Sequence, residues 1–233
     1  MPLKYKRIVL KISGEMLGDD NKALSRESIA STARQIQKLA EAGVQVAVVV
    51  GGGNILRGRS SEGMERNRAD HMGMLATAIN ALAIQDALEN IGVNAVVFSA
   101  VEMQRFCDTF SSREANAALD AGKVVIFACG TGSPFFSTDT GAALRALEVH
   151  ADALILAKSV DAVYSADPNV DLNAVRYSEL TYDKVIADNL KATDITTITL
   201  CRDYKMPIVL FSMEDETRFL RALEGENVGT VIS

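Results

Sequence analysis

At 233 residues, with 48% hydrophobic and 23% charged side chains, the chain has the composition of an ordinary soluble globular protein and the length to bury a sizeable core. Its net charge of −6 argues against a general basic surface for nucleic acid, though not against a local cationic pocket. No apolar run approaches ~18 residues, so no membrane span is expected. Cys107, Cys129 and Cys201 form no C-x-x-C pair, the start has no signal-like pattern, and His71 and His150 are too few and too far apart for a zinc site, so a reduced, cytoplasmic protein is expected.

Taken in order, KRIVLKIS (6–13) reads as a strand ending at Ser13-Gly14-Glu15. Lys11 is a cation near its carboxyl end; from this strand alone a lysine on the solvent side is an equal reading. After a polar loop, Ser25 is a good N-cap, and Ile29, Ala33, Ile36 and Leu39 follow at helical spacing until Gly43. VAVVVGGGNILRG (46–58) comes next, an apolar run ending in Gly51, Gly52 and Gly53. An unbroken β-branched run reads as a strand buried on both faces. The glycines bare backbone N–H groups to a phosphate, and Arg57 adds a planar cation suited to phosphate oxygens. Residues 58–68 are polar, and a long helix spans about Ala69 to Ile91, its methionine, leucine and alanine stripe read as core.

A strand at Val93–Phe98 and a helix at Ser112–Ala121 lead to KVVIFA (123–128), which runs into Gly130-Thr131-Gly132-Ser133-Pro134. Phe135 and Phe136 either wall a ligand or belong to the core. Ser137-Thr138-Asp139 are N-cap types ahead of a helix over Gly141–Val149, and a helix N-terminus beside a glycine turn suits an anion. A strand at Ala153–Ala157 is followed by Lys158; Asp167-Pro168 marks a turn. Helices from Thr181 and about Asp194, a strand at Ile208–Phe211, a helix near Thr217–Leu223 and a strand at Val228–Ile232 complete the chain, without repeat or linker, so a single catalytic domain over 1–233 is expected.

Strands alternating with helices predict an α/β protein with a largely parallel sheet, in which ligands sit beyond the carboxyl ends of strands. Lys11 with Gly14, the triple glycine, the Gly130–Gly132 turn and Lys158 all fall at such ends. A G-x-x-x-x-G-K-[ST] loop is absent, no G-x-G-x-x-G follows a strand, and two histidines give no Ser-His-Asp arrangement. The remaining inventory is glycine-rich backbone, Lys11, Arg57 and the acids Asp70, Asp139, Asp167 and Asp194. It suits phosphoryl transfer, which asks for held anions and placed positive charge.

LKISGE (10–15), VVVGGGNILRG (48–58), ADHMGM (69–74), GTGSPFFSTDT (130–140) and VDAVYSADP (160–168) together resemble the bacterial UMP kinase family, of the amino-acid-kinase fold. The resemblance runs the length of the chain. It implies a three-layer sandwich with a largely parallel central sheet, and transfer of the ATP γ-phosphate to UMP, with Mg²⁺, in a cytoplasmic homohexamer open to feedback by UTP. By the same resemblance, Lys11, Ile12, Ser13, Gly14, Gly53 and Arg57 meet ATP, and Tyr164 and Asp167 hold its adenosine. Gly52, Asp70 and the run Thr131, Gly132, Ser133, Pro134, Phe135, Phe136, Ser137 and Thr138 form the UMP site. Lys11, Arg57, Asp139 and Asp194 are the catalytic group, with Asp194 orienting Lys11 and Asp139 reaching Mg²⁺ or its waters; from the residues alone, Asp194 also reads as an N-cap and Asp70 as a first-turn acid.

The chain departs from the family in three places. Ala69 replaces a frequent glycine. Lys158-Ser159-Val160 varies where an adenine contact is expected, which leaves Lys158 or Ser159 for that role. The loop GDDNKALS (18–25) lacks the glycines that relatives use in responding to GTP, which predicts weak or absent activation. Two other functions remain open. A sibling kinase acting on a carboxylate or carbamate would have no need of Asp70 and the 131–138 segment. A non-catalytic nucleotide binder would be expected to lack Lys11, Asp139 or Asp194.

Overall fold

The computed structural model describes residues 3–56, 63–158, 160–168, 170–212, 218–226 and 228–233. Its elements in chain order are β1 (Arg7–Ile12), a 3-10 turn (Gly14–Leu17), α1 (Arg26–Glu41), β2 (Gln45–Val50), α2 (Arg66–Glu89), β3 (Ala95–Ser99), β4 (Asp108–Thr109), α3 (Ser112–Asp120) and β5 (Val124–Ala128). Then follow α4 (Thr138–Glu148), β6 (Ala153–Lys158), β7 (Val163–Tyr164), β8 (Arg176–Tyr177), β9 (Glu179–Leu180), α5 (Tyr182–Ala187), α6 (Ile195–Asp203), β10 (Ile208–Ser212), α7 (Arg218–Leu223) and β11 (Thr230–Ile232). Among the described residues a nine-stranded sheet runs β4-β3-β5-β2-β1-β6-β10-β11-β9, and β7 pairs with β8 as a separate ribbon. From β4 to β10 every pairing is parallel; β11 reverses against β10, and β9 runs alongside β11. The α/β sandwich expected from the alternating pattern is therefore observed.

The period of two along β1 decides which side chain goes where. Ile8, Leu10 and Ile12 enter the apolar layer that also holds Ile36 and Leu39 of α1 and Ala81 and Ile84 of α2. Val9 enters the opposite layer, with Ala142, Ala143 and Ala146 of α4 and Ile198 of α6. Lys11 shares that second face, so its ammonium is delivered toward α4. The same count on β6 puts Leu154 and Leu156 in the second layer and carries Lys158 to that face, two residues beyond the register pair Lys11–Leu156. β1 and β6 adjoin where successive connections change direction across the sheet, the position at which parallel sheets open a crevice.

Several boundaries differ from those read in the sequence. α2 begins at Arg66 because the Glu65 carboxylate accepts from the N–H groups of Asn67 and Arg68, both at 3.0 Å. α4 begins at Thr138 because the Ser137 hydroxyl accepts from the Thr140 N–H at 3.1 Å. The two-residue strands β4, β7, β8 and β9 are too short to carry a period and had no sequence signal. Along α2, Ala69, Ala76, Thr77, Asn80, Ala81, Ile84 and Leu88 form the buried face. Met72, Leu75 and Ile79 lie on the outer face and are 40%, 57% and 47% exposed, so the stripe expected to be core is only partly so.

Candidate active site

The carboxyl ends of β1, β2, β5 and β6 open into one cavity of about 780 Å³, within the range of small-molecule sites. At its centre the Asp139 carboxylate stands between two ammonium groups. Lys11 Nζ lies 2.7 Å from Oδ1, in an ion pair that falls outside hydrogen-bond geometry, and Lys158 Nζ donates to Oδ2 at 2.7 Å. Thr193 Oγ1 also donates to Oδ2 at 2.7 Å. Burial by itself would push the Asp139 carboxyl up, but the attraction of Lys11 and Lys158 outweighs it and holds the group well below the usual carboxylate range. One acid is thus kept ionised and fixes two cations side by side, both turned toward the cavity.

Asp194 plays a different part from the one the resemblance suggested. It is the N-cap of α6, with Oδ1 accepting from Thr197 N–H at 2.9 Å and from Thr140 Oγ1 at 2.9 Å. Oδ2 accepts from Thr197 Oγ1 at 2.8 Å and Ser137 Oγ at 2.5 Å. Burial raises its carboxyl, and these hydrogen bonds more than compensate, so its pKa is lowered. In this structure Asp139, not Asp194, holds Lys11; Asp194 lines the cavity and ties α6 to the start of α4.

The glycines divide by purpose. A Cβ on Gly14 would meet Asn54 Oδ1 and Gly51 O, both at 2.5 Å, so Gly14 is required by the close approach of the turns after β1 and β2. On Gly52 it would meet Gly73 O at 2.8 Å, which sets how closely α2 approaches the loop. Gly53 has open space around it and lines the cavity, as bare backbone offered to an anion would. Ile12, Ser13 and Gly14 follow the lining residue Lys11 in the chain but do not line the cavity themselves.

On the far side, Asp70 Oδ2 accepts from Arg66 Nε at 2.8 Å and from the backbone N–H of Phe135 at 2.8 Å. The Arg66 guanidinium also lies 5.6 Å from the centre of the Phe135 ring. Phe135 takes φ 71°, and both aromatics are exposed, so the core alternative fails for each. Of the predicted acceptor segment, Thr131, Ser133, Phe136, Ser137 and Thr138 line the cavity, whereas Gly132, Pro134 and Phe135 shape the loop behind it. The Gly132 φ is 78°, with Ala100 O 3.1 Å from where a Cβ would stand. Tyr164 and Asp167 lie away from the cavity: Tyr164 Oη donates to Asp161 at 2.9 Å, and the Asp167 carbonyl accepts from Val170 and Asp171 N–H groups in a turn. Arg57 and Ser159 lie outside the described residues.

Among the lining residues that escaped the sequence reading are Arg66, Lys191 and Thr193. Arg66 was detectable as the i−4 neighbour of Asp70 on one helix. Lys191 and Thr193 sit in the turn before α6, where no local signal points inward. For a metal, no group of three or more His, Cys, Asp or Glu converges among the described residues. The acids present fit an ion that arrives largely coordinated by substrate phosphates and needs one or two carboxylates. Asp139 is the buried carboxylate at the cavity's centre that fits, and its Oδ1, ion-paired to Lys11 at 2.7 Å, would be shared between that ammonium and the ion.

A parallel sheet with glycine turns and paired lysines at its carboxyl edge defines a binder of phosphorylated ligands. The amino acid kinase family model matches residues 6–212, and the chain belongs to that family. The structure is similar to that of UMP kinase from Bacillus anthracis, with 33% identity, 98% of this chain and 96% of that chain covered, and a TM-score of 0.96. UMP kinase from Ureaplasma parvum is 36% identical over 99% and 100% of the two chains, with a TM-score of 0.93. Uridylate kinase from Archaeoglobus fulgidus is 29% identical over 97% and 99%, with a TM-score of 0.74.

Proposed function

We propose that this chain is a nucleoside-monophosphate kinase that transfers the γ-phosphoryl group of ATP to UMP. The observation that carries the reading is the Lys11–Asp139–Lys158 cluster in a cavity walled by glycine turns. A phosphate oxygen of UMP attacks the γ-phosphorus in line, the bond to the β–γ bridging oxygen breaks, and UDP and ADP leave. Little covalent work falls to the protein, so its task is to hold two polyanions together and follow the charge that spreads over the transferring group. Lys11 and Lys158, already oriented by Asp139, are placed for that without reorganisation. Gly53, with Arg57, is assigned to the donor phosphates; Tyr164, Asp167 and, because Lys158 is engaged by Asp139, Ser159 are assigned to adenosine.

On the acceptor side Asp70 receives ribose hydroxyls, and the 131–138 segment reads the uracil edge and phosphate, with Gly52 setting the approach of α2. Mg²⁺ bound to the nucleotide would neutralise phosphate charge, with Asp139 as its protein ligand. UTP, as a uridine nucleotide, fits the same acceptor surface as a feedback inhibitor. Residues 1–233 act as a single catalytic domain. A cytoplasmic homohexamer is proposed, supported by the exposed Met72, Leu75 and Ile79 on α2. Among the described residues no helix is long and apolar enough to cross a membrane.

A coupled assay of ADP release across UMP, CMP, glutamate and carbamate tests the reading. UMP should be strongly preferred, because a site built for one hydrogen-bond pattern leaves groups unpaired with another base, at ~1–3 kcal/mol per group. Equal kcat/KM for UMP and CMP, or turnover confined to a carboxylate or carbamate, would overturn it.

A further inference from the structure

We propose that Asn54 and Asn80 form a positioning pair that sets the donor-phosphate loops, an inference that rests on the ATP-binding half of the reading above. Asn80 lies on α2 and is fully buried, at 0% exposure, an expensive place for a primary amide unless each polar atom has a partner. Its Nδ2 donates to Gly51 O at 2.6 Å and to Asn54 Oδ1 at 2.8 Å. Asn54 returns the bond, Nδ2 to Asn80 Oδ1 at 3.1 Å, and donates again to Ala23 O at 2.7 Å. Two amides thus bond to each other in both directions and spend their remaining donors on two separate loops.

The loops so joined frame the proposed donor site. Gly51 N–H donates to Ile12 O at 2.9 Å, which couples the turn after β2 to the turn after β1. Gly14 leaves so little room that a Cβ there would meet both Asn54 Oδ1 and Gly51 O at 2.5 Å. Asn54, Gly51 and Gly14 therefore meet at one point, immediately behind Gly53 and Lys11, and Asn80 anchors that point to α2. Neither asparagine lines the cavity, so their action is through the backbone they hold. Loops that present N–H groups to phosphate lose affinity when their geometry relaxes, and losing such a supporting hydrogen bond typically costs on the order of tenfold or more.

Asn54→Ala, Asn80→Ala and the double variant can be titrated with the β,γ-imido analogue of ATP, and separately with UMP, by calorimetry, with Tm recorded for each. Asn54, half-exposed, is the variant expected to fold without difficulty. It should raise Kd for the ATP analogue about tenfold while Kd for UMP stays within about twofold. If the two amides act as a unit, the double variant should be little worse than either single one. An unchanged Kd for the ATP analogue in Asn54→Ala, an equal loss for UMP, or multiplied effects in the double variant would overturn the pair, whatever happens to Tm. Failure of the acceptor assignment is distinguishable: wild type would then bind the analogue and release no ADP with UMP, while the donor-side titrations still decide the inference.

Discussion

Replacing Asp139 by Asn tests the cluster on which the proposed chemistry depends. The change keeps the shape and an acceptor for Thr193, but leaves Lys11 and Lys158 facing each other without their counter-charge. Their side chains are 12% and 24% exposed, and that of Asp139 is 11% exposed, so solvent screens the repulsion only in part. Removing one partner of a buried ion pair costs ~3–5 kcal/mol; the open cavity and the retained Thr193 bond favour the lower end. For a chain of this length, ~3 kcal/mol corresponds to a fall in Tm of roughly 6–12 °C. Low pH is a poor substitute for the mutation. A carboxyl whose pKa is depressed on folding contributes stability that is fully present above its unfolded value, 3.8, and is lost only as pH falls toward the lower folded value, so assays above about pH 4 never expose it. The variant's two unneutralised ammoniums should also bind anions better, so pyrophosphate should raise its Tm by more than it raises that of wild type. At the same time kcat should fall on the order of 100-fold, since the cations lose the geometry that follows the transferring charge. The measurements are a thermal melt with and without pyrophosphate and a steady-state assay. A Tm within about 2 °C of wild type, the same response to pyrophosphate and near-normal kcat would refute the reasoning.

Lys11→Ala should lose on the order of 100-fold in kcat with KM for UMP little changed, because its contact strengthens in the transition state; steady-state kinetics check this. Asp70→Asn should chiefly raise KM for UMP and leave KM for ATP nearly unchanged, and equal damage to both would show that donor and acceptor sites are misassigned. GTP should stimulate little or not at all, given the 18–25 loop; a several-fold rise in initial rate at subsaturating ATP would show that another surface senses it.

The parallel sheet was legible because β2, β5, β6 and β10 each carry an unbroken apolar run and β1 is broken only by Arg7 and Lys11, and burial on both faces leaves that mark in a sequence. Its antiparallel margin was not, since two-residue strands are fixed by their neighbours. In the site, glycine turns and Lys11 were visible as residues out of keeping with their strands. The partner of Lys11 was not, because Asp139 and Asp194 both stand at helix starts among Ser and Thr. The structure separates them by two positions: Asp194 is an N-cap, and its oxygens are turned back on the Thr197 N–H and neighbouring hydroxyls. Ser137 takes the capping role on α4, leaving Asp139 inside the first turn, free to face the lysines. The exposure of Phe135 and Phe136 was equally hidden, because aromatics in a Gly-Ser-Pro loop carry no period.

The two halves of the cavity share α2 as a brace, and this bears on how they meet during transfer. On the acceptor side α4 is the common support: its first turn carries Thr138 and Asp139, and Gly141 packs so closely that its Cβ would lie 3.2 Å from Gly130 Cα. Arg145 on the same helix, buried, donates to Gly130 O at 3.3 Å and pairs with Glu148, while Phe110 lies under its guanidinium at 3.9 Å. The glycine turn of the acceptor segment and the acid that holds both lysines therefore belong to one rigid unit. The donor turns are held by α2 through the Asn54–Asn80 pair, and α2 also grips the acceptor segment, with Asp70 accepting from Phe135 N–H and Thr77 Oγ1 from Cys129 N–H. Lys11 spans the two units, rooted in β1 beside the donor turns and ion-paired to α4. A shift of α4 relative to α2 would strain the bonds from Asp70 and Thr77 to the acceptor loop, so α2 keeps acceptor loop and donor turns in one frame. A common frame favours in-line transfer, because it fixes the two phosphates in mutual orientation and leaves their separation as the coordinate that must be brought to its reactive value.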